Sequence, residues 1–113
     1  MVQSLLAILA IAVLIGMSFR ANARFREESR LPMQWGFDGS VNWTAPRRLA
    51  LSLTPVLGSI ILAAATASTL LLAPRPGQAG KAIPVILILG LGFIAVHGLH
   101  LWLIRRTLKR GGD

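Results

Sequence analysis

Three stretches without a single Asp, Glu, Lys or Arg constrain this chain more than anything else: Val2 to Phe19, Leu49 to Ala73 and Ala82 to Ile104. A helix needs about 20 mostly apolar residues to cross a hydrocarbon core of about 30 Å. The second stretch has 25 residues and the third 23. The first has 18, with Gln3 and Ser4 near its outer end, where the membrane interface tolerates them. The pattern predicts an all-α membrane protein with three transmembrane helices at about 2–19, 49–73 and 82–104. Hydrophobic residues make up 54% of the 113 and charged ones 14%, more apolar surface than a soluble domain of this length needs. The whole chain, 1–113, reads as one transmembrane domain, with 20–48 as an aromatic and arginine-rich interfacial loop.

The cations are placed unevenly about these stretches. Arg20, Arg24, Arg26, Arg30, Arg47 and Arg48 lie between the first two, and Arg105, Arg106, Lys109 and Arg110 follow the third. Only Arg75 and Lys81 fall in the other link. Short loops rich in Lys and Arg stay cytoplasmic, so the expected topology is N-terminus outside and C-terminus inside. The net charge of +8 then points to anionic lipid head groups and not to nucleic acid, because the cations flank the spans. Ala21-Asn22-Ala23 resembles a signal-cleavage site, but the positive residues follow the apolar run instead of preceding it. An uncleaved anchor is expected.

Arg20 to Arg30 has no Pro or Gly, and Arg24 and Glu28 stand at i,i+4. The first helix is therefore expected to run on to Leu31-Pro32, where the residue before proline resists helical geometry. Asp38-Gly39 is a good hairpin turn. A strict hairpin about it pairs Phe37 with Ser40 and Trp35 with Asn42, leaving Trp43 on the other face. The aromatics thus disagree about a side, and a compact loop on the membrane surface is the expected form, with Trp35, Phe37 and Trp43 in the head-group layer. In the second span Pro55 removes one helical hydrogen bond. Ser59, Ala63 and Ala67 recur every four residues, a spacing that lets helix backbones approach closely. They are expected to pack the bundle, or else a homodimer. Pro74 to Lys81 is a turn-rich external link, and Pro84 opens the third helix. On that helix Ile86, Gly90, Phe93, His97, His100 and Ile104 share one face.

The acidic residues Glu27, Glu28, Asp38 and Asp113 all lie outside the spans. A proton-coupled exporter that trades a proton for a cation at an intramembrane carboxylate is excluded, as are paired-carboxylate hydrolysis and a carboxylate metal cage within the membrane. No cysteine is present, so thiolate metal sites and cysteine nucleophiles are absent too. His97 and His100 are the ionisable groups inside a span, which makes them functional candidates. They could hold a metal, a quinone or one face of a haem, or carry a proton. The structural alternative is hydrogen bonding between helices, and it is preferred. No metal site and no catalytic residue is expected.

Leu31-Pro32-Met33-Gln34-Trp35-Gly36-Phe37-Asp38-Gly39-Ser40-Val41-Asn42-Trp43, followed by Ala45-Pro46-Arg47-Arg48 and Leu53-Thr54-Pro55, resembles the loop of the SdpI-like family of bacterial membrane proteins. Leu31, Pro32, Trp35, Gly39, Asn42 and Trp43 fit its pattern. Gln34 stands where that family usually has histidine, and the gap after Leu-Pro is shorter. The resemblance covers the first two spans and their loop. It implies a multi-pass protein of the bacterial inner (cytoplasmic) membrane that binds another molecule without catalysis.

The expected function is therefore an accessory, immunity-like or stabilising subunit that meets other integral membrane subunits and anionic lipids. Pro32, Trp35, Phe37, Gly39 and Trp43 are its expected docking residues. A holin-type permeabilising protein shares the three-span plan but lacks this loop. A redox or quinone-associated subunit using His97 and His100 is the third class.

Overall fold

The computed structural model describes residues 2–72 and 80–111, with the side chains of 110 and 111 excepted. The expected link at 74–81 therefore falls outside them, apart from Gly80 and Lys81. The element order is α1 (Val2–Arg24), β1 (Arg30–Trp35), β2 (Val41–Pro46), α2 (Arg47–Leu71) and α3 (Ala82–Gly111). Among the described residues three helices are long and apolar enough to cross a membrane, at Val2–Arg24, Arg47–Leu71 and Ala82–Lys109. The three-span reading stands at this level. The all-α description is corrected, because 20–48 contains a two-stranded antiparallel sheet.

The first helix is also shorter than expected. It stops at Arg24, and Phe25 turns into a core with Ala21, Leu31, Ala45, Ala50, Leu51 and Ile104. Arg47, at the start of α2, binds the segment that follows the helix. Its guanidinium donates to the carbonyls of Arg26 at 2.6 Å, Glu28 at 2.6 Å and Phe25 at 3.4 Å, and to Asn22 Oδ1 at 2.9 Å. The backbone N–H of Arg47 donates to the Ser29 carbonyl at 3.0 Å. The helix ends six residues early, at a turn held by the burial of Phe25 and the bonds from Arg47, and Pro32 lies inside β1 instead of capping α1.

The three helices meet where residues are small. A Cβ on Gly58 of α2 would stand 3.1 Å from Leu14 of α1 and 3.2 Å from Phe93 of α3. A Cβ on Gly90 of α3 would stand 3.0 Å from that of Ala10. Leu14 and Leu62 are fully buried beside them, with Ala7, Ala10 and Ile86. Close approach matters because dispersion contacts are the main attraction between helices in lipid. The inward face of α2 is Leu51, Pro55, Gly58, Leu62 and Thr66. Ala63 and Ala67 point outward and Ser59 is only partly covered. The expected packing stripe is thus corrected as a bundle contact: it is rotated away from α1 and α3, because Gly58 gives a closer approach than alanine allows. The outward position leaves the homodimer alternative open. The α3 face is as expected, with Ile86, Gly90, His97 and Ile104 buried and Phe93 and His100 partly so.

Candidate functional site

The site lies at the basic end of the bundle, where the hairpin folds back on α3. Gly36 N–H donates to the Ser40 carbonyl at 2.8 Å, and Gly39 N–H donates to the Gly36 carbonyl at 3.0 Å. Gly39 has φ +86°, a left-handed conformation open to glycine at little steric cost. The turn thus spans Gly36 to Ser40, one residue wider on its N-terminal side than a turn centred on Asp38-Gly39. Trp35 stands opposite Val41 and Gln34 opposite Trp43, with irregularities on both sides of Gln34. Asp38 Oδ1 accepts from the Ser40 hydroxyl at 2.6 Å and its N–H at 3.0 Å. Those bonds hold the exposed Asp38 carboxyl below its ordinary pKa.

The irregular register separates the aromatics. Trp35 turns inward, its Nε1–H donating to Thr107 Oγ1 at 2.8 Å. Its ring meets the His100 ring edge-on, with centroids 5.9 Å apart and planes at 81°, a favoured geometry for aromatic pairs. Pro32 is buried. Phe37 at the tip is fully exposed, and Trp43 is half exposed near Val41. Of the five expected docking residues, Phe37 and Trp43 are available to a partner. Trp35 fastens the hairpin to the bundle, Pro32 is buried, and Gly39 shapes the turn.

One turn deeper, His97 is fully buried. A helical carbonyl normally accepts from the N–H four residues on, and at Leu51 that residue is Pro55, which has none. The Ser18 hydroxyl donates to this Leu51 carbonyl at 2.7 Å. Ser18 has one hydrogen to give, so its 2.8 Å contact with His97 Nε2 is a bond donated by the imidazole. That fixes the tautomer: His97 Nδ1 is a lone pair, buried and without a partner. His100 Nε2 is likewise buried and unpartnered. Among the described residues no group of three His, Cys, Asp or Glu could hold a metal ion.

The site thus joins expected residues to three that sequence reasoning passed over. Thr107 looks like a helix-end threonine, and Ser18 and Arg47 look like ordinary boundary residues. Pro55 was the usable signal, because a proline in a span requires some donor for the carbonyl four residues earlier.

Compared with family models, with curated proteins and with solved structures, the chain matches none.

Proposed function

We propose that this chain is a non-catalytic subunit of a larger complex in the bacterial cytoplasmic membrane, with its N-terminus outside and its hairpin and C-terminus inside. The observation that carries the reading is the division of labour on the hairpin. Trp35 fastens one side to His100 and Thr107, while Phe37 and Trp43 stay uncovered. An aromatic surface held on a fixed support suits recognition, because little side-chain or loop entropy is lost on docking. Exposed aromatic anchors carry a large share of interface energy. The resemblance to the SdpI-like loop supports the same reading, since that family also binds instead of catalysing. The placement of ten of twelve cations about 20–48 and after 104 supports the orientation.

A photoreactive residue at Trp43 tests the docking role in intact cells. The expected result is a discrete cross-linked product with one other membrane polypeptide. Cross-linking to lipid alone would refute it.

A second reading is favoured by one observation, the pair of unpartnered nitrogens on His97 and His100. Two unpartnered ring nitrogens one helix turn apart could carry a proton, take a metal, or bind a quinone or haem edge. Metal analysis and an absorption spectrum of the purified protein separate the readings. A stoichiometric metal or chromophore lost in His97→Ala favours the second.

A further inference from the structure

On the membrane-facing side of the bundle, α1 and α3 leave a cleft of about 270 Å³. Its outer end carries Arg20, Arg24 and Arg105, and its inner end Met17 and Gly98. Trp102 also lines it, with the Arg106 guanidinium 5.3 Å from its ring centroid. Among the described residues none of Arg20, Arg24 and Arg105 pairs with a carboxylate. Three guanidinium groups from two helices therefore converge without internal counter-charge.

From Gly98 to Arg105 is seven residues, or roughly 10 Å along a helix. Over that distance the lining passes from methyl and methylene groups to cations. α1 runs in the same direction, with Met17 deep and Arg24 shallow, so both walls share the gradient. Gly98 keeps the floor open, since even the nearest atom to a Cβ built there, Met17 Cε, is 3.6 Å away.

We propose that this cleft binds an anionic phospholipid, its phosphate among Arg20, Arg24 and Arg105 and the start of one acyl chain over Gly98 and Met17. Guanidinium forks match phosphate oxygens in pairs, and basic recesses between spans are suited to such head groups. An acidic partner peptide would match the cations but not the apolar floor, and free phosphate would use only the outer half. The lipid accounts for both ends.

The test is native mass spectrometry of the full chain released from vesicles of phosphatidylglycerol mixed equally with phosphatidylcholine. The expected result is retained phosphatidylglycerol in strong preference to phosphatidylcholine, unaffected by millimolar inorganic phosphate. Arg24→Gln with Arg105→Gln should weaken retention about thirtyfold, taking each cation near the surface at its usual contribution. Arg26→Gln, which removes one charge outside the cleft, should leave retention unchanged. Gly98→Leu fills the floor without altering charge and should also reduce retention. Equal retention of both lipids, displacement by inorganic phosphate, or the same loss from Arg26→Gln would each overturn the proposal. A cleft variant that unfolds is recognised by its melting curve, and Gly98→Ala then replaces Gly98→Leu, with retention equal to that of the parent protein counting against the site.

Discussion

Ser18 donates its hydroxyl hydrogen to the carbonyl of Leu51, 2.7 Å away, at the one point of α2 where proline withholds the helix's own donor. The relationship spans two helices and orders a third residue, since His97 must then donate to Ser18. Ser18→Ala should destabilise the bundle by about 1 kcal/mol, within the usual range for interhelical hydrogen bonds in membranes. Pro55→Ala supplies an N–H for the Leu51 carbonyl, so in that background Ser18→Ala should cost measurably less. A double-mutant cycle by denaturant titration in detergent reads the coupling. Strictly additive effects would show that the two residues act apart.

Arg47 fastens the turn after α1 by donating to three of its carbonyls and to Asn22. Hydrogen bonds from a charged donor contribute about 1.5–3 kcal/mol each in favourable cases. Arg47→Ala should therefore lower stability by about 2 kcal/mol. Arg47→Lys should restore less than half of that, because a single ammonium cannot reproduce the guanidinium fork. Thermal melts of the two variants beside the parent protein decide it, and full recovery with lysine would mean that charge alone matters.

Much of this fold is written in the sequence, and what escaped has physical reasons. Apolar length alone marks the three spans, and the period of α3 picks out the face of Ile86, Gly90, His97 and Ile104. The end of α1 was less legible. Residues 25–30 carry no breaker, and the turn that replaces the helix there is held by a cation 22 residues beyond Phe25, which binds the carbonyls of Phe25, Arg26 and Glu28. The α2 face was misread for a related reason. Ser59, Ala63 and Ala67 have the right size and spacing, but Gly58 allows a closer approach and sets the rotation. In the hairpin, alternation implies two faces, whereas the irregularities beside Gln34 turn Trp35 inward and leave Trp43 half uncovered. The candidate site was therefore half visible. Its aromatics and histidines stand out by type, while Ser18 and Thr107 acquire meaning only once the helices are packed.

The rotation of α2 gives a direct comparison. Gly58→Leu forces side-chain atoms against Leu14 and Phe93, and overpacking of this kind costs about 1–3 kcal/mol. Ala63→Leu, on the outward face, should change the stability of the single chain by less than about 0.5 kcal/mol. Melting of both variants in detergent at low protein concentration is the measurement. A destabilised Ala63→Leu with an unaffected Gly58→Leu would reverse the assigned face.

Orientation has its own check. A reporter active only in the cytoplasm should work when fused after Asp113 and fail when fused before Met1. Activity at the N-terminal fusion alone would invert the topology and place the hairpin outside the cell.

The docking role is tested most directly by setting Trp43 against Trp35 in one pull-down under mild detergent, with melting curves on the same samples. Trp43→Ala should abolish recovery of the partner subunit while leaving the melting temperature close to the parent's, because that ring is half exposed and bonded to nothing internal. Trp35→Phe deletes the hydrogen bond to Thr107 and should lower the melting temperature, with partner recovery falling only as the fold loosens. If Trp43→Ala, together with Phe37→Ala, leaves partner recovery intact, the exposed hairpin face is not the docking surface and the central claim fails.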